Sequence, residues 1–201
     1  MTHSRRTGEF TGFQGQDTRD DVVRHSIRAE VESIQPFDEV EARSKSQVLD
    51  WIDTGVELCR LEKPAKPPMH LVSYFLVVDG PHLLLVDHIN AKLWLPTGGH
   101  VEPEEHPRDT VVREALEELS LGASFLCEHP VFLTVTETVG LTAGHTDVSL
   151  WYLLQGDRLE QLEIDGGEFN DVRWFHRDEV PLERSDPHMG RFLAKLYPRR
   201  G

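Results

Sequence analysis

Three glutamates, Glu114, Glu117 and Glu118, follow one arginine in the stretch Arg113-Glu-Ala-Leu-Glu-Glu-Leu119. Their spacing of i, i+3 and i+4 puts them on one face of a helix. Carboxylates held that close repel one another unless a cation sits among them. Hard cations such as Mg²⁺ take oxygen ligands and are commonly completed by substrate phosphates. Just ahead lies a glycine-led loop, Gly99-His-Val-Glu-Pro-Glu-Glu105, approached by Leu95-Pro-Thr-Gly-Gly99. Glu117 and Glu118 alone would read as a solvated helix face. Their combination with Arg113, Glu105 and an apolar approach ending in Gly-Gly points instead to metal-assisted chemistry on a phosphate compound.

The elements that must position these residues can be read around them. Pro107 suits the first position of the helix, and Asp109 in its first turn favours the dipole. The helix should run to about Leu119, with Val112, Ala115, Leu116 and Leu119 as its apolar face and the glutamates nearly opposite. Leu71–Val78 reads as a buried strand, Asp79-Gly80-Pro81 as a turn and His82–Val86 as the returning strand. Leu93-Trp94-Leu95 leads into the glycine approach. Further strands are predicted at 123–137, 145–155 and 171–176. Pro187 to Tyr197 reads as a closing helix with Met189, Phe192, Leu193 and Leu196 inward. Strands, helix, strands, helix is the pattern of an α/β or α+β sandwich.

The first part of the chain differs in kind. Residues 1–16 are polar and glycine-containing and predict disorder. Asp17-Thr18 can cap a helix in which Val23, Ile27, Val31 and Ile34 recur at helical spacing to about Gln35. Pro36 breaks it. Asp38 can cap a second helix with Val48, Trp51 and Ile52 on its apolar edge and Gly55 as a stop. Glu62-Lys-Pro-Ala-Lys-Pro-Pro68 is a stiff connector. The division is therefore an N-terminal extension over residues 1–66 and a second domain over 67–201. The helical extension is expected to pack on that domain or to form a homodimer, ahead of a role as a cover over the site.

The stretch 99–121 resembles the Nudix box, G-x5-E-x7-R-E-U-x-E-E-x-G-U, with U a bulky apolar residue. Gly99, Glu105, Arg113, Glu114, Glu117, Glu118 and Leu121 match; Ala115 is a small first U, and Ser120 replaces the last glycine. That glycine usually leaves the helix with positive φ, which strains a residue carrying a Cβ. The resemblance covers roughly residues 69–198. It implies a Nudix-type α/β/α sandwich with a mixed sheet. It also implies that Glu114, Glu117 and Glu118, with the Gly98 carbonyl, hold Mg²⁺ or Mn²⁺, that Arg113 orients a box glutamate, and that Gly99 and Glu105 support the site. The general base is a box glutamate or a later acidic residue. Glu168, a short strand ahead of Trp174-Phe175 as in MutT-like members, is preferred, with Asp147 and Glu137 as alternatives. Ser185 and Asp186 fall where related enzymes contact a nucleobase. His100 and His145 could touch a phosphate or base, but each, as a lone histidine, reads first as a surface or hydrogen-bonding residue; Lys92 and Arg184 could meet phosphate charge but read first as solvated cations.

The implied activity is metal-dependent cleavage of a nucleoside triphosphate, canonical or oxidised, to monophosphate and pyrophosphate. Other substrates of the same chemistry are ADP-ribose, nucleotide sugars and dinucleoside polyphosphates. A non-catalytic nucleotide sensor is the competing class, and the complete carboxylate set argues against it. The formal charge of −14 over 201 residues argues against nucleic-acid or membrane partners, which call for a basic surface. It leaves a phosphate substrate open, because bound cations invert the local field. Cys59 and Cys127 lie outside metal-ligand spacings and read as buried, structural thiols in a reducing compartment. No apolar run approaches the ~20 residues of a membrane span, and the N-terminus lacks a secretory apolar segment. The expected location is cytoplasmic.

Overall fold

A computed structural model of the chain describes residues 19–63, 66–138, 144–160, 162 and 166–198. The disorder expected for residues 1–16 and the Asp17-Thr18 cap lie outside these residues. Two helices come first, α1 (Arg19–Ser33) and α2 (Glu39–Asp53). Strands β1 (Met69–Asp79), β2 (His82–His88), β3 (Leu93–Leu95) and β4 (Thr97–His100) precede helix α3 (Pro107–Leu119). Strands β5 (Phe132–Glu137), β6 (Thr146–Gln155) and β7 (Phe169–His176) lead to α4 (Met189–Leu196).

The seven strands form one mixed sheet. Its main path is β3-β2-β1-β6-β5, with β4 on β1 and β7 on β2. Among the described strands the β1–β6 ladder is parallel and the other ladders are antiparallel. The long β1 is shared. Its C-terminal end turns through Gly80 into β2, while Val72–Phe75 pair with β4. The apolar approach expected to end in Gly98-Gly99 is thus two short strands, β3 and β4.

Side chains on β1 and β6 alternate between two cores, as period-two geometry requires. Leu71, Phe75, Leu150 and Tyr152 join α1, α2 and α3 on one face. Leu76, Trp151 and Leu153 join Met189 and Phe192 of α4 on the other. Helices thus cover both faces, the α/β/α sandwich expected from the element order. The predicted strand 123–137 is shorter than expected: residues 121–131 form an irregular segment held to β6 by a bridge between Phe125 and Leu154 and by backbone hydrogen bonds from Leu126 to Leu153, Val131 to Trp151 and Gln155 to Ser124.

The N-terminal helices are part of this core. Ile27, Val31, Ile34, Val48 and Ile52 are all at most 2% exposed and pack in the same cluster as the sheet. Asp38 caps α2 by accepting from the Glu41 amide. Glu41, fully buried, accepts from the Leu133 amide at the outer edge of β5 and from Lys195 of α4 at 2.7 Å. Helix α2 therefore closes the sheet edge that β5 would otherwise leave unpaired. Asp38 also makes a bidentate pair with Arg191 of α4. Tyr152 on β6 donates its hydroxyl to Glu30 of α1.

Helix α3 turns a different face inward from the one its sequence suggests. Val111, Ala115, Glu118 and Leu119 are buried, whereas Val112 is 46% and Leu116 63% exposed. The apolar count favoured Val112 and Leu116, but the sheet and the Gly98–Gly99 strand take Glu118 and Glu114 instead. His106 caps the helix through its side chain, and Pro107 holds the first position. At the far end Ser120 adopts φ +51°, the left-handed conformation that glycine takes in the box pattern. Its amide bonds the Leu116 carbonyl, so the exit keeps its shape and the side chain carries the strain. Cys59 is buried, with Sγ donating to the Glu102 carbonyl, but Cys127 is exposed, contrary to its expected burial. Among the described residues no helix is long and apolar enough to cross a membrane.

Candidate active site

Strand β4 and helix α3 meet because two glycines let them. At Gly98 φ is +149°, and an added Cβ would lie 2.1 Å from the Ser73 carbonyl oxygen of β1. At Gly99 it would lie 1.8 Å from Glu114 Oε1. The glycine backbone thus occupies the space beside β1 and beneath the helix carboxylates. The Gly98 amide donates to Glu118 Oε2 at 3.2 Å. Ser73 adds a second tie between sheet and helix by donating to the Pro107 carbonyl.

Arg113 organises the acidic side chains around it. Its Nε and Nη2 each lie 3.0 Å from one oxygen of Glu105, a bidentate pair. Nη1 lies 2.6 Å from Glu114 and 3.6 Å from Glu117, and Nη2 also donates to the His100 carbonyl. Glu105 in turn accepts from Thr110 and from the Glu102 amide. Burial opposes ionisation of Glu105, but the Arg113 bonds outweigh it and hold the carboxyl below its usual range. Burial raises Glu114 instead. Arg113 offsets this only in part, and the charges of Glu117 and Glu168 add to the rise. Three carboxylates, Glu105, Glu114 and Glu117, around one guanidinium leave net negative charge there.

That cleft has a volume of about 440 Å³. Gly98, Gly99 and Glu118 form one wall and Glu168 another edge, with Leu93, Leu95 and Phe169 among its apolar lining. Glu168 is exposed, and its backbone carbonyl accepts from the Ile89 amide, which fixes the turn that carries it. Asp186 reaches the cleft and is buried, which pushes its carboxyl above the usual range. Ser185 does not reach it: its hydroxyl donates to the Pro181 carbonyl. Glu137 and Asp147, the alternative bases, both line the cleft.

The histidines depart most from expectation. His100 and His145 are not surface residues; both line the cleft, beside Asp147 and Arg60. Burial, aided by the charge of Arg60, pushes His100 down to about 3, so its ring is neutral at pH 7. The sequence did contain a signal here, since His145 and Asp147 alternate with Thr146 at strand period. His70 and Arg60 carried none: the sheet register brings His70 near, and Arg60 comes from the segment between α2 and β1.

A family profile described as the NUDIX domain matches residues 69–196. Among solved structures the chain is similar to a MutT NUDIX hydrolase from Burkholderia pseudomallei, at 21% identity and TM-score 0.51, over 64% of this chain and 98% of that one. It is similar to a NUDIX-family hydrolase from Clostridium perfringens, at 21% identity and TM-score 0.50, over 63% and 95%. It is also similar to the E. coli ORF135 protein, at 23% identity and TM-score 0.51, over 69% and 99%. These structures speak for the fold. No curated protein matches the chain.

Proposed function

The chain belongs to the NUDIX family, whose members hydrolyse nucleoside diphosphate derivatives, and from that premise we propose that it cleaves nucleoside triphosphates to monophosphate and pyrophosphate with a divalent metal ion. One observation carries the reading: the box carboxylate Glu118, the Gly98–Gly99 backbone and Glu168 open onto one cleft that also presents apolar surface from Val72, Leu93, Leu95, Pro96 and Phe169. Such a cleft offers charge for a phosphate chain and apolar walls for a base.

The donor set fits a hard divalent ion. The space a Cβ would fill at Gly99 is taken by the Glu114 carboxylate, and Glu118 sits against Gly98, so oxygen donors converge on one strand. Glu114, Glu117 and Glu118, with the Gly98 carbonyl, would hold Mg²⁺ or Mn²⁺. When bound, the ion neutralises the diphosphate and favours attack by water.

The remaining work falls to the chain itself. Arg113, gripped by Glu105, fixes Glu114 in place and keeps it from swinging into solvent. Glu168, exposed at the cleft edge, is free to accept the proton of the attacking water. Asp186, buried in the cleft lining, is suited to hydrogen-bond a base edge.

The test is turnover of a panel of canonical and oxidised triphosphates, ADP-ribose, nucleotide sugars and dinucleoside polyphosphates, with Mg²⁺ and with Mn²⁺. Pyrophosphate release from triphosphates supports the reading. Cleavage confined to the other compounds moves the substrate, and binding of nucleotide without turnover favours a sensor. Glu118→Gln should cut turnover at least about 100-fold while the chain stays folded. Near-normal turnover in the folded variant would remove Glu118 from the metal set.

A further inference from the structure

Away from the box glutamates, the sheet register gathers four other groups on one face. His70 and Asp147 are direct partners in the parallel β1–β6 ladder. His100 pairs with Val72, two residues along from His70, and so shares its face. His145 lies two residues before Asp147. One donor atom from each of the four lies within 4.8 Å of the others. His70 is fully buried and His145 is 9% exposed.

The hydrogen bonds aim these donors inward. His70 Nδ1 lies 2.9 Å from the Pro67 carbonyl, which can only accept, so Nδ1 carries the proton and Nε2 turns to the cluster. His145 Nδ1 lies 3.2 Å from the Thr138 hydroxyl, leaving its Nε2 to do the same. This is the outer support that metal-binding histidines receive. His70 Nε2, His100 Nε2 and Asp147 Oδ1 are buried and make no hydrogen bond. Asp147 Oδ1 lies 3.3 Å from the Nε2 of both His70 and His145.

Unsatisfied buried polar atoms are costly singly, and here they share one point. A proton would bridge only one pair. An anion would meet the Asp147 carboxylate. A cation at the centre satisfies all four. Ligands about 2.0–2.1 Å from a tetrahedral ion lie roughly 3.3–3.4 Å apart, which is the separation of Asp147 from the two histidines. Three imidazoles and one carboxylate suit a borderline transition metal and disfavour Mg²⁺, which takes oxygen.

We propose that His70, His100, His145 and Asp147 form a site for one transition-metal ion of the zinc class, distinct from the box carboxylates and opening onto the same cleft. The site stands on its own donors and does not depend on the triphosphate reading. With the ion bound, it and Arg60 make this wall of the cleft cationic, opposite in sign to the box.

The experiment is metal titration of the chelator-stripped full chain. Calorimetry with Zn²⁺ in excess Mg²⁺ should find one tight equivalent, and Co²⁺ should give the intense visible bands of four-coordinate nitrogen and oxygen ligation. The equivalent should persist in the Glu117→Gln, Glu118→Gln double variant. It should weaken at least about 10-fold in Asp147→Asn and in His100→Gln, both at the cleft wall and checked for folding by circular dichroism. X-ray absorption of the Zn²⁺-loaded wild-type chain should show imidazole scattering, which needs no variant. No tight Zn²⁺ equivalent would overturn the proposal. So would one lost with the box glutamates, one indifferent to Asp147→Asn, or one without imidazole scattering.

Discussion

At the scale of single residues, two adjacent glycines have different jobs, and substitution separates them. A Cβ at Gly98 would strike the backbone of β1 at a positive φ, where nothing can yield, so Gly98→Ala should damage the fold. A Cβ at Gly99 meets the Glu114 carboxylate, the movable end of a side chain. Gly99→Ala should therefore leave a folded chain with Glu114 pushed aside and turnover down by about 100-fold. Thermal melting and turnover measured together check this. A Gly99→Ala chain with unchanged turnover would show that the Glu114 position is not used. The box residues were legible in the sequence because their spacing is local to one helix and one turn. Glu114 and Glu118 were expected on an open face and are half-buried and buried. The reason is that the glycine strand carries no side chains there, so the carboxylates pack into the volume a Cβ would have filled.

Individual elements are held by ionic ties that the sequence only hinted at. Asp38 was legible as a cap, but its pairing with Arg191 joins residues 153 positions apart. The hydrogen bonds from Arg191 hold its carboxyl down to about 2, against the opposing effect of burial. The folded state therefore binds the proton less readily than the unfolded state. The resulting stability is present above about pH 4 and is lost as pH falls through about 2. With 31% of the side chain exposed, solvent screening limits the contribution to about 1–2 kcal/mol. Asp38→Asn keeps the cap and removes the charge. Denaturant unfolding should find the variant less stable by that amount at pH 7 and equal to wild type near pH 2. An undiminished gap near pH 2 would assign the effect to something other than the ion pair. Helix α3 teaches the opposite lesson, since its apolar periodicity pointed to Val112 and Leu116, which are exposed. A helix that buries carboxylates for function turns its stripe away from the one its hydropathy defines.

For the molecule as a whole, the N-terminal helices pack on the second domain, one of the two arrangements expected for them, and do so through its central core. Read as an extension, they contribute five nearly fully buried aliphatic side chains to the central core and cover the β5 edge. Each such side chain contributes roughly 1.5–3 kcal/mol on burial, so their sum rivals the ~5–15 kcal/mol of a typical domain. Removing residues 1–57 should abolish the cooperative melt or leave an insoluble chain, even though the family match begins only at residue 69. A truncated chain melting cooperatively near the wild-type midpoint would make the helices an appendage after all.

The sequence by itself determined the family, the order of strands and helices, and the acidic helix beside a glycine pair. All of these follow from local spacing, which a linear chain records directly. The tertiary structure decided which face of α3 is buried, that α1 and α2 belong to the core, and that Glu168 and Asp186 share a cleft with Glu118. It also brought His70, His100, His145 and Asp147 to one point. Three of those four come from three different strands and His145 from the residue just before β6, and nothing in their sequence spacing relates them except the His145–Asp147 alternation. Their meeting depends on strand register, and register is fixed by packing across the whole sheet rather than by any short stretch of chain.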